Sequence, residues 1–305
     1  MRLVKNLPAL VISMLLLFSA TPRPARAQED PAPRYSSFHI PAEKGADSAS
    51  SSESSPFLSF AKSGRTSARF FPALIEATAS KNQPSWLGGQ ADPAAKSGKP
   101  EAPRFRDFGR ALGYNFTKGL FSRKNLKPLL IGSAATLAFV PFDQKISDST
   151  RGNFTELGKS GQVIGSPAAI MTLTGGLLVA VPMTKNVRYR SFVFTEMQGL
   201  ALTNAQVFAL KYAVRRTRPD ASNQRSFPSA HAANIFALAT VTYHYYGKKI
   251  GIPLYIVACL VAASRVEKGI HYPSDVIFGA LLGFISGSTA IRGTEHIISV
   301  GHKGR

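Results

Sequence analysis

Residues 252–287 read IPLYIVACLVAASRVEKGIHYPSDVIFGALLGFISG. Two apolar runs flank SRVEKGIHYPSD (264–275), which carries an arginine, a histidine and an aspartate. Hiding an unpaired charge in apolar surroundings costs on the order of several kcal/mol. These groups therefore either cap helix ends in water or face one another around something charged. The flanking runs are rich in Ala, Leu and Gly and longer than ordinary strands, so they read as helices.

The same texture recurs along the chain, with apolar segments at 128–142, 160–184, 191–213, 228–247, 250–264 and 276–291. Their lengths and composition predict an all-α fold, a bundle of about six core helices. Only 160–184 holds a charge-free run long enough to cross a membrane unaided. The third segment contains Glu196, Gln198, Asn204 and Gln206, and the fourth contains His231, Asn234 and His244.

The region ahead of the bundle has a different character. MRLVK, the apolar LPALVISMLLLFSA and the small-x-small Ala25-Arg26-Ala27 read as an export signal over 1–27, an uncleaved anchor helix being the alternative. Residues 28–103 are a low-complexity Ala-, Ser- and Pro-rich leader, expected to be mostly disordered, with a short helix at 67–79. The basic stretch 104–127 suits either an amphipathic helix on an anionic membrane surface or a solvated basic face. The helical domain occupies 128–305.

The net charge is +20, and the excess lies in the last two thirds of the chain. Such a field attracts phosphorylated small molecules, anionic headgroups or nucleic acid. Nucleic acid is set aside, because the bases are not interleaved with exposed aromatics and no recognition motif occurs. The basic stretches 104–127, 185–190, 247–249 and the C-terminus would share one face, cytoplasmic by the positive-inside rule. A cleaved signal would put 104–127 on the other side. An exported globular bundle resting on the membrane removes that conflict and is the reading the sequence favours. Cys259, the only cysteine, allows no intramolecular disulfide and reads as a buried, inert thiol.

Three stretches at segment ends concentrate the charge. In KYAVRRTRP (211–219), Lys211 and Arg218 are almost two helical turns apart and would share a face, with Pro219 ending the helix. In FPSAH (227–231), Pro228 predicts a helix start whose free N–H groups, Ser229 to His231, would bind an anion. In the opening stretch, Pro273 marks another helix start, with Asp275 close enough to orient His271 and Arg265 able to turn toward the same point. Each alone is an ordinary helix end; together they equip a site for a tetrahedral oxyanion.

The order and spacing K-x6-R-P, P-S-[G]-H and S-R-x5-H-x3-D resemble the signature of the type 2 phosphatidic acid phosphatase (PAP2) superfamily, with the bacterial class A acid phosphatases and vanadium haloperoxidases. Ala230 stands where that pattern has glycine. With the export signal, the resemblance implies an exported phosphatase acting on phosphate monoesters or diphosphates, such as those of lipids or isoprenoids, through a phosphohistidine. His271 would be the nucleophile, Asp275 its orienting partner and His231 the proton donor. Lys211, Arg218, Ser229, Ala230 and Arg265 would hold the phosphoryl oxygens, with no metal or other cofactor. The alternatives it leaves are a vanadate-dependent haloperoxidase and a non-catalytic binder of anionic headgroups. The expected partners are a phosphorylated substrate and a membrane surface.

Overall fold

The computed structural model describes residues 102–152, 161 and 163–303. The expected export signal, the leader up to residue 101 and the short helix at 67–79 lie outside the described residues. Among the described residues there are eight α-helices and no strand. They are α1 (Phe108–Tyr114), α2 (Leu126–Phe139), α3 (Asp143–Thr150), α4 (Pro167–Val179), α5 (Val187–Val214), α6 (Ala230–Tyr246), α7 (Lys248–Glu267) and α8 (Pro273–Lys303). Six of them, α2 and α4 to α8, fall on the six apolar segments, so the fold is the all-α bundle the sequence predicts.

Three features differ from expectation. Residues 104–127 are not one amphipathic helix: α1 runs into a π turn at Asn115–Gly119 and then a 3-10 turn at Arg123–Asn125. Asn115 and Asn125 are buried, because their amides bond Gln198 of α5 and Thr289 of α8. Two phenylalanines of this segment, Phe105 and Phe108, meet Phe194 edge-on at 5.5 and 5.7 Å. The charge-free segment 160–184 is divided, because Ser166 caps a helix at Pro167 and Pro182 lies in a separate 3-10 turn. Among the described residues, the stretches long and apolar enough to cross a membrane are instead Arg123–Thr150, Lys248–Glu267 and Pro273–Val300.

Helix α8 is the hub, packing on α2, α5, α6 and α7. Its closest neighbour is α6, and the stripe Gly279, Gly283 and Gly287 explains the approach. A Cβ on Gly283 would stand 2.1 Å from the Ala233 carbonyl oxygen, and one on Gly279 would stand 2.5 Å from that of Ser229. Small residues at every fourth position let two helix backbones touch. Val207, Val214, Phe227, Ala233, Phe278 and Leu281 form a common core.

Outside, the bundle is apolar. Leu130 and Ile131 on α2, Met171 and Leu173 on α4, and Ile250 and Ile256 on α7 are exposed. Cys259 on α7 is half-buried rather than fully buried. Helices α5 to α8 alternate in direction, so the C-terminal ends of α5 and α7 and the N-terminal ends of α6 and α8 meet at one end of the bundle. The Ser229 N–H donates to the Asp275 carbonyl at 3.0 Å, and the His271 N–H to the Arg265 carbonyl at 3.3 Å.

Candidate active site

The first charged stretch is shaped by an early helix stop. Helix α5 ends at Val214; Arg215 turns left-handed (φ 52°, ψ 40°), and its N–H bonds the Lys211 carbonyl. Lys211 and Arg218 therefore do not share a helix face, contrary to the sequence expectation. The turn frees Arg216 to reach inward to two buried carboxylates. Lys211 stays in the last turn, its Nζ donating to the Arg225 carbonyl at 2.6 Å. Arg218 lies on the following loop, its Nε buried without a hydrogen-bond acceptor.

The second stretch starts its helix later than Pro228 suggests. Ser229 is the N-cap of α6 and Ala230 its first residue. The Ser229 N–H is engaged by Asp275, so it is not among the free donors expected there. Its hydroxyl oxygen accepts from the Ala232 N–H, which leaves the Ala230 and His231 N–H groups without intrahelical acceptors. Ala230 is not among the described non-glycine residues with positive φ, Arg215 and Ala221, so alanine in place of the pattern's glycine introduces no strain.

The third stretch forms as expected, with Pro273 opening α8. Arg265 in the last turn of α7 is fully buried, its Nε and Nη2 donating to Ser264 Oγ at 3.1 and 3.0 Å. Asp275 reaches back so that its Oδ2 accepts from the Tyr272 N–H at 2.9 Å, a capping-box arrangement that fixes the carboxylate by the helix start itself. The same oxygen accepts from the Ser226 hydroxyl. His271 Nδ1 stands 3.6 Å from it, an ion-pair distance beyond hydrogen-bond reach.

Behind Asp275 lies a group that the sequence reading passed over. Arg216 Nη1 donates to Asp275 Oδ1 at 2.7 Å, and Nη2 to Asp143 Oδ2 at 2.7 Å. The guanidinium also covers the Tyr272 ring at 4.1 Å. Asp143, the first residue of α3, in turn accepts from the Ser274 N–H and hydroxyl. Arg216 lies inside the quoted motif, but nothing in KYAVRRTRP says which arginine turns inward. Asp143 follows an apolar run in PFDQ and carries no signal in sequence.

The expected residues converge. Arg265, His271, Lys211 and Arg218 all lie near enough to act on the charge of His231, and Asp275, Lys211 and Arg218 do so on His271. Burial holds the His271 pKa below the usual histidine range, with Lys211 and Arg218 adding to the effect and Asp275 opposing it. The neutral form of the imidazole is thus favoured. Among the described residues no three His, Cys, Asp or Glu side chains form a metal cluster.

The sequence model of the PAP2 superfamily matches residues 197–296. Over that stretch, about a third of its length, the chain is similar to the PAP2 superfamily. Every expected site residue, and Arg216 with them, falls inside this PAP2 region, whereas Asp143 lies outside it. A lipid A 1-phosphatase of Porphyromonas gingivalis is 38% identical over 92 residues, 29% of this chain and 21% of that protein. A decaprenylphosphoryl-5-phosphoribose phosphatase of Mycobacterium tuberculosis is 38% identical over 100 residues, 30% of this chain and 54% of that one. The chain thus spans about half or less of the length of these relatives. Among solved structures, a transmembrane PAP2 type phosphatidylglycerolphosphate phosphatase of Bacillus subtilis aligns with a TM-score of 0.48 and 19% identity, over 60% of this chain and 98% of that one.

Proposed function

We propose that the protein is a membrane phosphatase that hydrolyses lipid or isoprenoid phosphates through a phosphohistidine. The observation that carries this reading is a buried His271 whose Nδ1 stands 3.6 Å from Asp275 Oδ2, near enough to Lys211 and Arg218 to feel their charge. With Nδ1 toward Asp275, the Nε2 lone pair attacks phosphorus as the bond to the leaving oxygen breaks. His231 gives that oxygen its proton. Water then attacks the phosphohistidine while His231 takes a proton back, which frees phosphate and restores both imidazoles. Lys211, Arg218 and Arg265, with the Ala230 and His231 N–H groups and the Ser229 hydroxyl, hold the phosphoryl oxygens as charge builds.

A lipid environment fits the apolar exterior. Leu130, Ile131, Met171, Leu173, Ile250 and Ile256 would form a large apolar patch in water. We read α2 and α4 to α8 as six crossings, in which the stretches long and apolar enough to span alone among the described residues, Arg123–Thr150, Lys248–Glu267 and Pro273–Val300, carry α4 to α6 across with them. The basic stretches 104–127, 185–190, 247–249 and the end of α8 then share the face opposite the pocket, so the positive-inside rule turns the pocket outward. A cleaved signal would put 104–127 on the pocket side instead. An impermeant thiol reagent on cysteines introduced at 118 and 225 separates the two: labelling of 225 alone supports six crossings, and labelling of both supports export.

Phosphate release from dioctanoyl phosphatidate and undecaprenyl diphosphate, without added metal, tests the activity. The wild-type protein is expected to turn over at least one of them and His271→Ala neither. Turnover that persists in His271→Ala overturns the reading.

A further inference from the structure

The ion-pair chain behind Asp275 is larger than is needed to hold one carboxylate still. Asp275 is fully buried and already receives the Tyr272 N–H and the Ser226 hydroxyl on one oxygen. Arg216 occupies the other oxygen, and Asp143 occupies the far side of Arg216. The three charges sum to one negative charge, and they join the start of α3, the loop after α5 and the first turn of α8. His271 lies two residues ahead of the last of these.

We propose that Asp143 and Arg216 are positioning residues, acting on His271 through Asp275 and setting how much negative charge the imidazole faces. This rests on the phosphohistidine reading above. Arg216 draws Asp275 away from the imidazole electrostatically, so the carboxylate orients His271 while leaving it a neutral nucleophile. Asp143 opposes Arg216 and restores part of that charge. The other charged groups facing His271 are Lys211 and Arg218 at and beyond the end of α5 and His231 on α6, while Arg265 on α7, accompanied by Glu267, faces His231. None of these is altered by substitution at 143 or 216.

The two residues carry opposite charges, so their removal has opposite signs. In Arg216→Gln the imidazole faces more negative charge, its protonated form gains, and the acidic limb of the kcat/KM pH profile moves to higher pH. In Asp143→Asn it faces less, and the limb moves to lower pH. Each shift is expected to be about half a pH unit or more. Arg216→Lys keeps the charge without the fork, and is expected to lower kcat while leaving the limb near the wild-type position.

The assay uses the full-length protein in detergent with dioctanoyl phosphatidate, each variant being checked first by size exclusion. Opposed shifts support the proposal. Shifts in the same direction, or lower rates with unmoved limbs, overturn it, since a merely structural pair would lower both rates alike. Should Arg216→Gln fail to fold, Asp143→Asn decides alone, and an unmoved or raised limb overturns the proposal. Failure of the underlying function reads differently: wild-type protein without phosphate release, or an active His271→Ala.

Discussion

Two buried polar networks sit at opposite ends of the bundle. At the pocket end, Asp143, Arg216 and Asp275 are ionised and joined by hydrogen bonds of 2.7 Å. At the other end, Asn115, Gln198, Thr294, Thr195 and Tyr245 form a chain of neutral amides and hydroxyls. Asp275 and Thr294 both lie on α8, roughly 28 Å apart at about 1.5 Å per residue. Both networks tie α8 to its neighbours, yet only one carries charge. Burying charge costs far more than burying an amide, and at the pocket end that cost is offset by Arg216 bonding both carboxylates. Neutral groups suffice where the requirement is to fix the register of α1, α5 and α8.

That contrast can be broken most sharply at Asp275. Asp275→Asn keeps the shape but removes the charge that orients His271, and kcat is expected to fall on the order of 10³-fold, read as initial phosphate release. Arg216→Met leaves Asp143 and Asp275 buried without their common cation. The expected loss is about 3–5 kcal/mol of stability, measured as a lowered midpoint of unfolding in detergent. A smaller effect is expected at the joint between α6 and α8. Gly283→Ala forces the two backbones apart, with an expected cost of about 1–3 kcal/mol and a lower kcat, because Ser229 and Asp275 separate together. Gln198→Leu, in the neutral network, is expected to cost about 1–2 kcal/mol and to leave kcat within about twofold of wild type. A Gln198→Leu variant as slow as Asp275→Asn would erase the distinction between the networks.

Helices and pocket residues were legible in the sequence for different reasons. Apolar segment length and composition locate α2 and α4 to α8, because burial is a property of whole segments. Pro273 locates the start of α8, because proline tolerates only a few helical positions. Pro228 misleads by two residues, because Ser229 makes the better cap and its N–H is held by Asp275. The face shared by Lys211 and Arg218 fails at Arg215, where a left-handed residue ends α5 to turn Arg216 inward. The partners Arg216 meets there, Asp143 and Asp275, are 73 and 59 residues away in sequence, and local periodicity holds no record of so distant a partner. The Gly279, Gly283 and Gly287 stripe was in plain view, but its meaning depends on which helix lies against it.

The central claim is that His271 takes the phosphoryl group. The direct measurement is to mix the protein with dioctanoyl phosphatidate labelled in its phosphate, quench in alkali, where phosphohistidine survives, and map the label by peptide digestion. Label on the peptide containing His271 in wild-type protein, accumulating further in His231→Ala and missing in His271→Ala, is the predicted result. Phosphate release with no label at His271, or label retained in His271→Ala, would contradict it.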